Sequence, residues 1–177
     1  MCIRDRLSIP NEDEERNMYL FTKDFLSEYG YHQYEISNYA QNNKECFHNK
    51  VYWKCNEYLG LGVSASSFLD GKRFKNIDSI DMYIEKINNN EDVIEETHVN
   101  STTDDMEEFI FMGLRMTKGI SINIFKERFG RDVFDVYDKP IKNNIKKGLL
   151  VYDSEKLYLS EKGIELSNYV MSDFIIN

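Results

Sequence analysis

The stretch GYHQYEISNYA, at residues 30–40, predicts a strand from which the elements before and after it can be assigned. Residues 31–36 alternate in the manner of a β-strand. The preceding segment, 12–29, carries acidic residues in its first turn and stops at a glycine, as helices often do. Its apolar side chains recur at three-to-four-residue spacing, at Met18, Phe21, Phe25 and Leu26. The sequence therefore predicts a helix that leads directly into a strand.

Downstream of this strand, a loop and a second strand are predicted. Residues 37–49 are polar and rich in asparagine, which favours an extended loop. Residues 58–63, YLGLGV, precede the small side chains of residues 64–67, and this combination predicts a buried strand whose glycines permit close backbone approach. A helix followed by strands in this order is typical of an α/β layer.

The pattern changes after about Gly71. A short helix is predicted over residues 78–89, and the Asn-rich, acidic residues 88–96 are the best candidate for a boundary between two regions. The later elements are helices from Thr102, over 121–129 and over 138–147, then a hairpin at 149–152 and 156–159, and a last helix capped by Ser160. This order resembles a winged-helix domain, so we expect an α/β piece joined to a small α+β domain.

Charge and hydropathy exclude several kinds of partner. Lys and Arg number 22 against 31 Asp and Glu, and the resulting net charge of -9 opposes attraction to nucleic acid or to anionic membranes. No run of about 18 apolar residues could span a membrane, and the first residues lack the apolar core of a secretory signal. We therefore expect a cytoplasmic protein without a nucleic-acid partner, with 177 residues forming one domain or two small ones.

The three cysteines, Cys2, Cys46 and Cys55, match neither a zinc site nor a disulfide framework. We expect reduced thiols. An iron–sulfur cluster needs closely spaced thiolates, and these three are far apart, so no cluster is expected on this chain. Residues 1–6 fit neither the helical nor the strand period, and our hypothesis is that they are an artefact of where the reading frame begins.

The densest group of reactive side chains is ECFHNKVYW, at residues 45–53. It places a thiol, an imidazole, a carboxamide and two large aromatic rings within nine positions. Haem requires one or two axial ligands from His, Cys, Met or Tyr, and flat apolar side chains against the macrocycle. This segment is therefore the candidate haem site.

Each residue type has a distinct expected role in such a site. His48 is the expected axial ligand, with the thiol of Cys46 as the alternative ligand. Tyr52 and Trp53 would line the face of the macrocycle, and Asn49 could orient the imidazole through its second nitrogen. The alternative is that both aromatic residues anchor a loop on the core while His48 satisfies a backbone carbonyl.

A second candidate site follows the predicted strand 58–63. Gly60 and Gly62, with the small side chains after them, would let a planar or extended ligand lie against the strand end. The alternative is a crowded interior that accepts no larger residue. The Gly-x-Gly is not a dinucleotide fingerprint, because it lacks the third glycine and the following helix.

Four motifs carry a resemblance to a known family. Residues 48–53 match the His-Asn-x-x-Tyr-Trp motif of HemW-type proteins, which has been proposed to bind haem. Residues 30–40, 57–62 and 112–115 are also similar to that family, in the same order. The chain thus resembles the haem-chaperone branch of the radical-SAM coproporphyrinogen oxidase-like proteins from about Leu7 to its end.

The resemblance implies a fold and a division of the chain. Residues 1–75 would be the C-terminal part of a radical-SAM partial (β/α) barrel, and residues 76–177 the small α+β, winged-helix-like C-terminal domain of the family. The full-length protein would hold a [4Fe–4S] cluster and S-adenosylmethionine, with the Cys-x3-Cys-x2-Cys motif upstream of this sequence. We therefore expect no radical activity from this chain alone.

The resemblance also implies partners and site residues. The position of Ser66 touches S-adenosylmethionine in the related dehydrogenases, although many relatives carry histidine there, so Gly60, Gly62 and Ser66 are the expected cofactor side. Haem and haem-accepting proteins are the expected partners. Two alternatives remain open: an oxygen-independent coproporphyrinogen III oxidase-type oxidoreductase, and a winged-helix interaction module that begins near Thr102.

Overall fold

The computed structural model describes residues 9–175 as a mixed α/β chain. Its first part contains, in chain order, α1 (Glu12–Glu28), β1 (Tyr31–Glu35), β2 (Asn38–Gln41), α2 (Phe47–Trp53), β3 (Ser66–Leu69), β4 (Lys72–Asn76), α3 (Ile80–Asn88) and β5 (Ile94–Val99). The rest contains α4 (Thr102–Gly113), β6 (Ile120–Ser121), α5 (Ile122–Phe129), α6 (Val133–Lys146), β7 (Leu150–Tyr152), β8 (Lys156–Leu159), α7 (Glu161–Glu165) and α8 (Ser167–Ser172).

Helix α1 is held by its cap and by contacts at its surface. The Asn11 side chain accepts a hydrogen bond from the Glu14 N–H, and the Glu14 carboxylate accepts one from the Asn11 N–H. None of the residues of α1 is buried. Two ion pairs connect it to α7, from Arg16 and Lys23. Exposed pairs of this kind stabilise a structure weakly, so α1 is loosely attached.

Two antiparallel sheets follow α1. Strands β1 and β2 form one hairpin, and β3, β4 and β5 form a three-stranded sheet in that order. The second sheet crosses the predicted boundary at residues 75/76, because β4 pairs with β5 on the other side of α3. The division into 1–75 and 76–177 stays a prediction.

The main hydrophobic core lies between Met106 and Phe174. Helices α4, α5 and α6 enclose it together with a small antiparallel sheet of order β6-β8-β7. Its fully buried members include Ile110, Phe125, Val133, Ile141 and Val170. Burying large apolar side chains of this kind is the dominant favourable contribution to folding, so this region is the stable part of the molecule.

Strand β1 attaches the first part of the chain to the last. Glu35 forms an isolated antiparallel bridge with Met116. The Ile36 N–H donates to the Arg115 carbonyl over 3.0 Å, and the Thr117 N–H donates to the Tyr34 carbonyl over 3.1 Å. The chain after α4 thus acts as a third strand beside the first hairpin.

The prediction of a buried strand over residues 58–63 is wrong. Only Tyr58 forms a bridge, with Phe68, while the side chains of Leu59 and Leu61 are 65% and 83% exposed. The reason is the close approach of Gly60 to the backbone of β3: a Cβ atom on Gly60 would lie 2.1 Å from the Ser66 carbonyl oxygen. This glycine therefore serves a tight turn against β3.

Most other predicted elements are confirmed with adjusted bounds. Helix α1, strand β1, α3, α5 and the β7–β8 hairpin lie where the patterns predicted them, and Gly130 ends α5 in the left-handed conformation. The predicted loop 37–49 contains β2 and the start of α2, and the helix predicted from residue 138 begins at Val133. Every strand pairing between described residues is antiparallel, whereas the order of elements suggested an α/β layer.

Two expectations fall on residues that the structure does not describe. Cys2 and the remaining residues of 1–6 lie outside the described range 9–175. Within that range, none of the helices combines the length and the apolar character that crossing a membrane requires.

Candidate functional site

Helix α2 carries the predicted haem residues on two different faces. It spans Phe47–Trp53, and Cys46 precedes it without a side-chain capping bond. Side chains four positions apart lie on one face of a helix. The sequence HNKVYW therefore separates into two pairs, His48 with Tyr52 and Asn49 with Trp53.

The first pair is open to solvent. The Tyr52 hydroxyl lies 3.0 Å from His48 Nε2, and the two rings meet edge to face with centroids 4.9 Å apart. Tyr58 continues this row, since its ring centroid is 4.6 Å from that of Tyr52. His48 is exposed, and the neighbouring Phe47 is 78% exposed. An exposed imidazole beside a phenol is thus accessible on α2, and the exposed ring of Phe47 adds apolar surface next to it.

The second pair faces the rest of the molecule. The Asn49 amide donates to Asn38 Oδ1 over 3.5 Å, and the guanidinium of Arg115 lies 4.7 Å from the centre of the Trp53 ring. We expected Asn49 to orient the imidazole of His48 and Trp53 to line the ligand. In the structure Tyr52 makes the contact with the imidazole instead, and one face of the Trp53 ring is covered by Arg115.

Behind this second pair lies a buried carboxylate. Glu35 is fully buried, and its Oε1 is 2.7 Å from the guanidinium of Arg115. Its Oε2 accepts hydrogen bonds from the Ser37 N–H at 2.9 Å and from the Asn38 amide at 2.5 Å. A buried charge needs a partner of this kind. Glu35 thus connects to Trp53 through Arg115 and to Asn49 through Asn38.

A second charged group lies at the start of α2. Lys50 Nζ is 2.7 Å from Glu45 Oε2, and His32 Nε2 is 3.3 Å from Glu45 Oε1. The hydrogen bond from Lys50, followed by that from His32, holds the pKa of Glu45 below its ordinary value, against desolvation. Glu45 is therefore ionised at neutral pH and paired within the protein.

The two described cysteines differ in environment. Cys46 is exposed beside α2, and its backbone N–H donates to the Tyr34 hydroxyl over 3.4 Å. Burial raises the pKa of the Cys55 thiol to about 12, with nearby Glu108 adding to the effect. Only Cys46 is thus available as a thiolate ligand beside His48. Among residues 9–175, no group of three or more His, Cys, Asp or Glu side chains is arranged to hold a metal ion.

The second candidate site is only partly open. The space beside Gly60 is filled by the Ser66 backbone. The Gly60 N–H donates to the Ser67 hydroxyl over 3.0 Å. This supports the crowded-interior reading for Gly60. Gly62 has a φ of +104° and no atom within 4 Å of the place of a Cβ, and Ser66 is exposed. Gly62 and Ser66 are therefore the two accessible members of the set.

The residues that sequence reasoning missed are the partners of α2. Arg115 and Glu35 lie within two of the family-like stretches named above, residues 112–115 and 30–40, so the resemblance could have pointed to them. No sequence pattern pointed to Arg128, yet its guanidinium donates to the carbonyls of Lys54 at 3.5 Å and Cys55 at 3.0 Å.

A separate groove of about 630 Å³ lies between α1, the β1–β2 turn and α7. None of the predicted haem residues lines that groove.

Comparison with known sequences identifies similar proteins. A family model described as the HemN C-terminal domain matches residues 100–166. "Heme chaperone HemW" of Bacillus subtilis (strain 168) is 33% identical over 97% of this chain and 45% of its own length. The protein of the same name from Lactococcus lactis subsp. lactis (strain IL1403) is 33% identical over 98% of this chain and 45% of its own length. The chain thus spans about 45% of the length of these curated relatives.

Comparison with solved structures identifies a protein with a similar fold. The structure titled "Coproporphyrinogen III oxidase (HemN) from Escherichia coli is a Radical SAM enzyme" superposes with a TM-score of 0.71, over 93% of this chain and 42% of that one. Sequence identity over this superposition is 16%, so the likeness concerns the fold alone.

Proposed function

Because this chain belongs to the HemW-type group of the coproporphyrinogen III oxidase-like radical-SAM family, we propose that it binds haem on the exposed side of α2 and takes part in haem trafficking. The observation that carries the proposal is the His48–Tyr52 pair, hydrogen-bonded to each other and accessible on α2. The relatives that match along nearly the whole chain are named as haem chaperones.

The open face of α2 has the chemistry that haem requires. His48, in the first turn of α2, supplies an imidazole for the iron. Cys46, which directly precedes α2, supplies a thiol as the alternative ligand. Phe47 offers apolar surface for the macrocycle. An accessible surface, in place of an enclosed cavity, suits a protein that must pass its cargo to an acceptor protein.

We extend the proposal to the full-length protein. Residues 1–75 would complete a radical-SAM barrel, with Gly62 and Ser66 on the S-adenosylmethionine side. A [4Fe–4S] cluster held by upstream cysteines would supply the electron that cleaves S-adenosylmethionine. The free thiols of Cys46 and Cys55 are in keeping with a reducing, cytoplasmic location.

The region that matches the HemN C-terminal domain has, in our proposal, a winged-helix-like architecture. Helices α4, α5 and α6 precede the β7–β8 hairpin, which takes the place of the wing. The net charge of -9 argues against nucleic acid as its ligand. We propose instead that this domain supports the haem site.

Haem titration of the wild-type protein and matched variants tests the proposal. Haem bound through His48 should give a Soret band displaced from that of free haem, and His48→Ala should abolish or move it. His98→Ala, which removes an exposed histidine on β5, is the matched control and should leave the band unchanged. Cys46→Ser should alter the spectrum only if the thiolate is the ligand. Wild-type binding by His48→Ala and Cys46→Ser alike would contradict the proposal.

The likeness to the fold of coproporphyrinogen III oxidase favours a second candidate, an oxidoreductase of that type. The two candidates differ in what the full-length protein converts. Consumption of coproporphyrinogen III by the reconstituted full-length protein would favour the oxidoreductase. Stable haem binding without that turnover would favour the chaperone.

A further inference from the structure

Helix α2 is too short to hold its shape alone. It has 7 residues, none of them buried, and Cys46, which precedes its first turn, makes no side-chain capping bond. Isolated helices of fewer than about 12 residues are marginal in water, because nucleation costs more than a few hydrogen bonds return. The geometry that brings His48 next to Tyr52 must therefore be maintained by contacts from elsewhere in the chain.

One such contact comes from Arg115, just after α4. Its guanidinium lies 4.7 Å from the centre of the Trp53 ring and 2.7 Å from the buried Glu35 carboxylate. A planar guanidinium can stack on an aromatic face while its edge pairs with a carboxylate, which an ammonium group cannot do. Arg115 thus holds the inner face of α2 against β1.

Another contact comes from Arg128 on α5. Its two terminal guanidinium nitrogens donate to the carbonyls of Lys54 and Cys55, which directly follow α2. The last carbonyls of a helix have no partner within the helix and need external donors. Arg128 therefore fixes the end of α2, where the chain turns at Cys55 with a φ of +49°.

We propose that Arg115 and Arg128 are positioning residues through which the C-terminal domain presents α2 with its His48–Tyr52 side outward. Both arginines lie within residues 100–166, which match the HemN C-terminal domain, whereas α2 lies outside it. The inference rests on the proposed function in one respect, namely that haem is what this side of α2 binds. Asn49 and Trp53 then serve to attach α2, and they do not contact the ligand.

The fluorescence of Trp53 tests the attachment without haem, because Trp53 is the only tryptophan in the sequence. In Arg115→Ala, the uncovered ring should become about twice as accessible to acrylamide, with a red-shifted emission. Arg115→Lys keeps the charge beside Glu35 but loses the planar stack, so it should show the same change with a smaller loss of stability. Arg131→Ala, which removes an exposed arginine from the same domain, is the matched control and should match the wild type.

Haem titration of the same variants tests the presentation of His48. Arg115→Ala and Arg128→Ala should each raise the apparent Kd for haem about tenfold while leaving the Soret maximum of the bound form in place, since the axial ligand is unchanged. Circular dichroism at the titration temperature checks that each variant is folded. Wild-type quenching and wild-type haem affinity in folded Arg115→Lys and Arg128→Ala would overturn the proposal.

The two proposals fail in different ways. If His48→Ala binds haem as the wild type does, the haem proposal fails, while a change in Trp53 accessibility still supports the attachment by arginine. If Arg115→Ala weakens haem binding only in proportion to its unfolded fraction, Arg115 is merely structural and the positioning role is refuted.

Discussion

At the scale of single residues, the haem site that we propose includes the contact between the Tyr52 hydroxyl and the His48 imidazole. The Tyr52 hydroxyl occupies Nε2, at 3.0 Å. Histidines that bind metals usually donate their second N–H to a neighbouring acceptor, and this fixes the ring and raises its basicity. We infer that Tyr52 has this role and that Nδ1 is the nitrogen left for iron.

Tyr52→Phe should therefore weaken haem binding about tenfold, because it removes the acceptor for the second imidazole nitrogen. Tyr58→Phe is the matched control, since it keeps the same aromatic row but carries no bond to His48. Haem titration followed by the Soret band measures both. Tighter binding by Tyr52→Phe would mean that the hydroxyl competes with iron for Nε2, and would contradict the assignment of Nδ1.

The residues of the site could be predicted from the sequence only in part. Residue types and spacing in 45–53 indicated haem chemistry, and the resemblance singled out the motif. The assignment of Asn49 and Trp53 to the inner face could not be predicted, because it depends on Glu35 and Arg115. These two residues are far apart in the sequence, and their meeting follows from the pairing of β1 with residues 115–117.

At the scale of elements, α6 and the end of α8 are connected by one buried amide. Asn144 is fully buried, and its Nδ2 donates to the Pro140 carbonyl at 3.0 Å and to Asp173 Oδ2 at 2.9 Å. Helix α6 contains Pro140 and a non-helical residue, Tyr137, so it cannot rely on an unbroken ladder of backbone hydrogen bonds. The Asn144 amide reinforces it at this point.

Asn144→Ala should lower the free energy of unfolding by about 1–3 kcal/mol, because it removes the buried amide that donates both to the Pro140 carbonyl and to Asp173 Oδ2. Asn143→Ala makes the same change one position earlier on the exposed side of α6, and should be close to neutral. Urea denaturation of both variants measures the difference. Equal stability of the two variants would contradict the role of Asn144.

The elements that were predicted correctly are those with a strong local signal. Helix α5 has a left-handed glycine at its end, and the β7–β8 hairpin has alternating apolar residues around a short polar turn. Strand β5 was missed because all six of its residues are exposed, and its acidic sequence resembled a linker. Strand β5 forms because its backbone pairs with β4, and a pairing between distant residues cannot be predicted from a short stretch of sequence.

At the scale of the whole molecule, burial is uneven. The continuous core runs from Met106 to Phe174, whereas α1, α2 and α3 contain no buried residue. Local openings cost least where few apolar contacts are buried. The first part of the chain should therefore open more often than the last part.

Hydrogen exchange should reveal this difference directly. We expect α1 and α3 to lose protection well before α4, α5 and the β7–β8 hairpin, and limited proteolysis to leave a resistant C-terminal piece that contains residues 106–174. Strand β1 should be intermediate, because it is bonded to residues 115–117. Equal protection throughout would contradict the view that the first part of the chain is stabilised mainly by its attachment to the C-terminal core.

The long-range attachment of β1 also sets an order of events during translation. The Thr117 side chain that bonds to the Gln33 carbonyl is synthesised 84 residues later. At about 5–20 residues per second, the ribosome needs roughly 4 to 17 s to produce it. During that interval Glu35 lacks its arginine and α2 lacks both residues that hold it. The segment 45–53 therefore leaves the ribosome without the contacts that hold it, and the nascent chain can form them only when residues 115–128 have emerged.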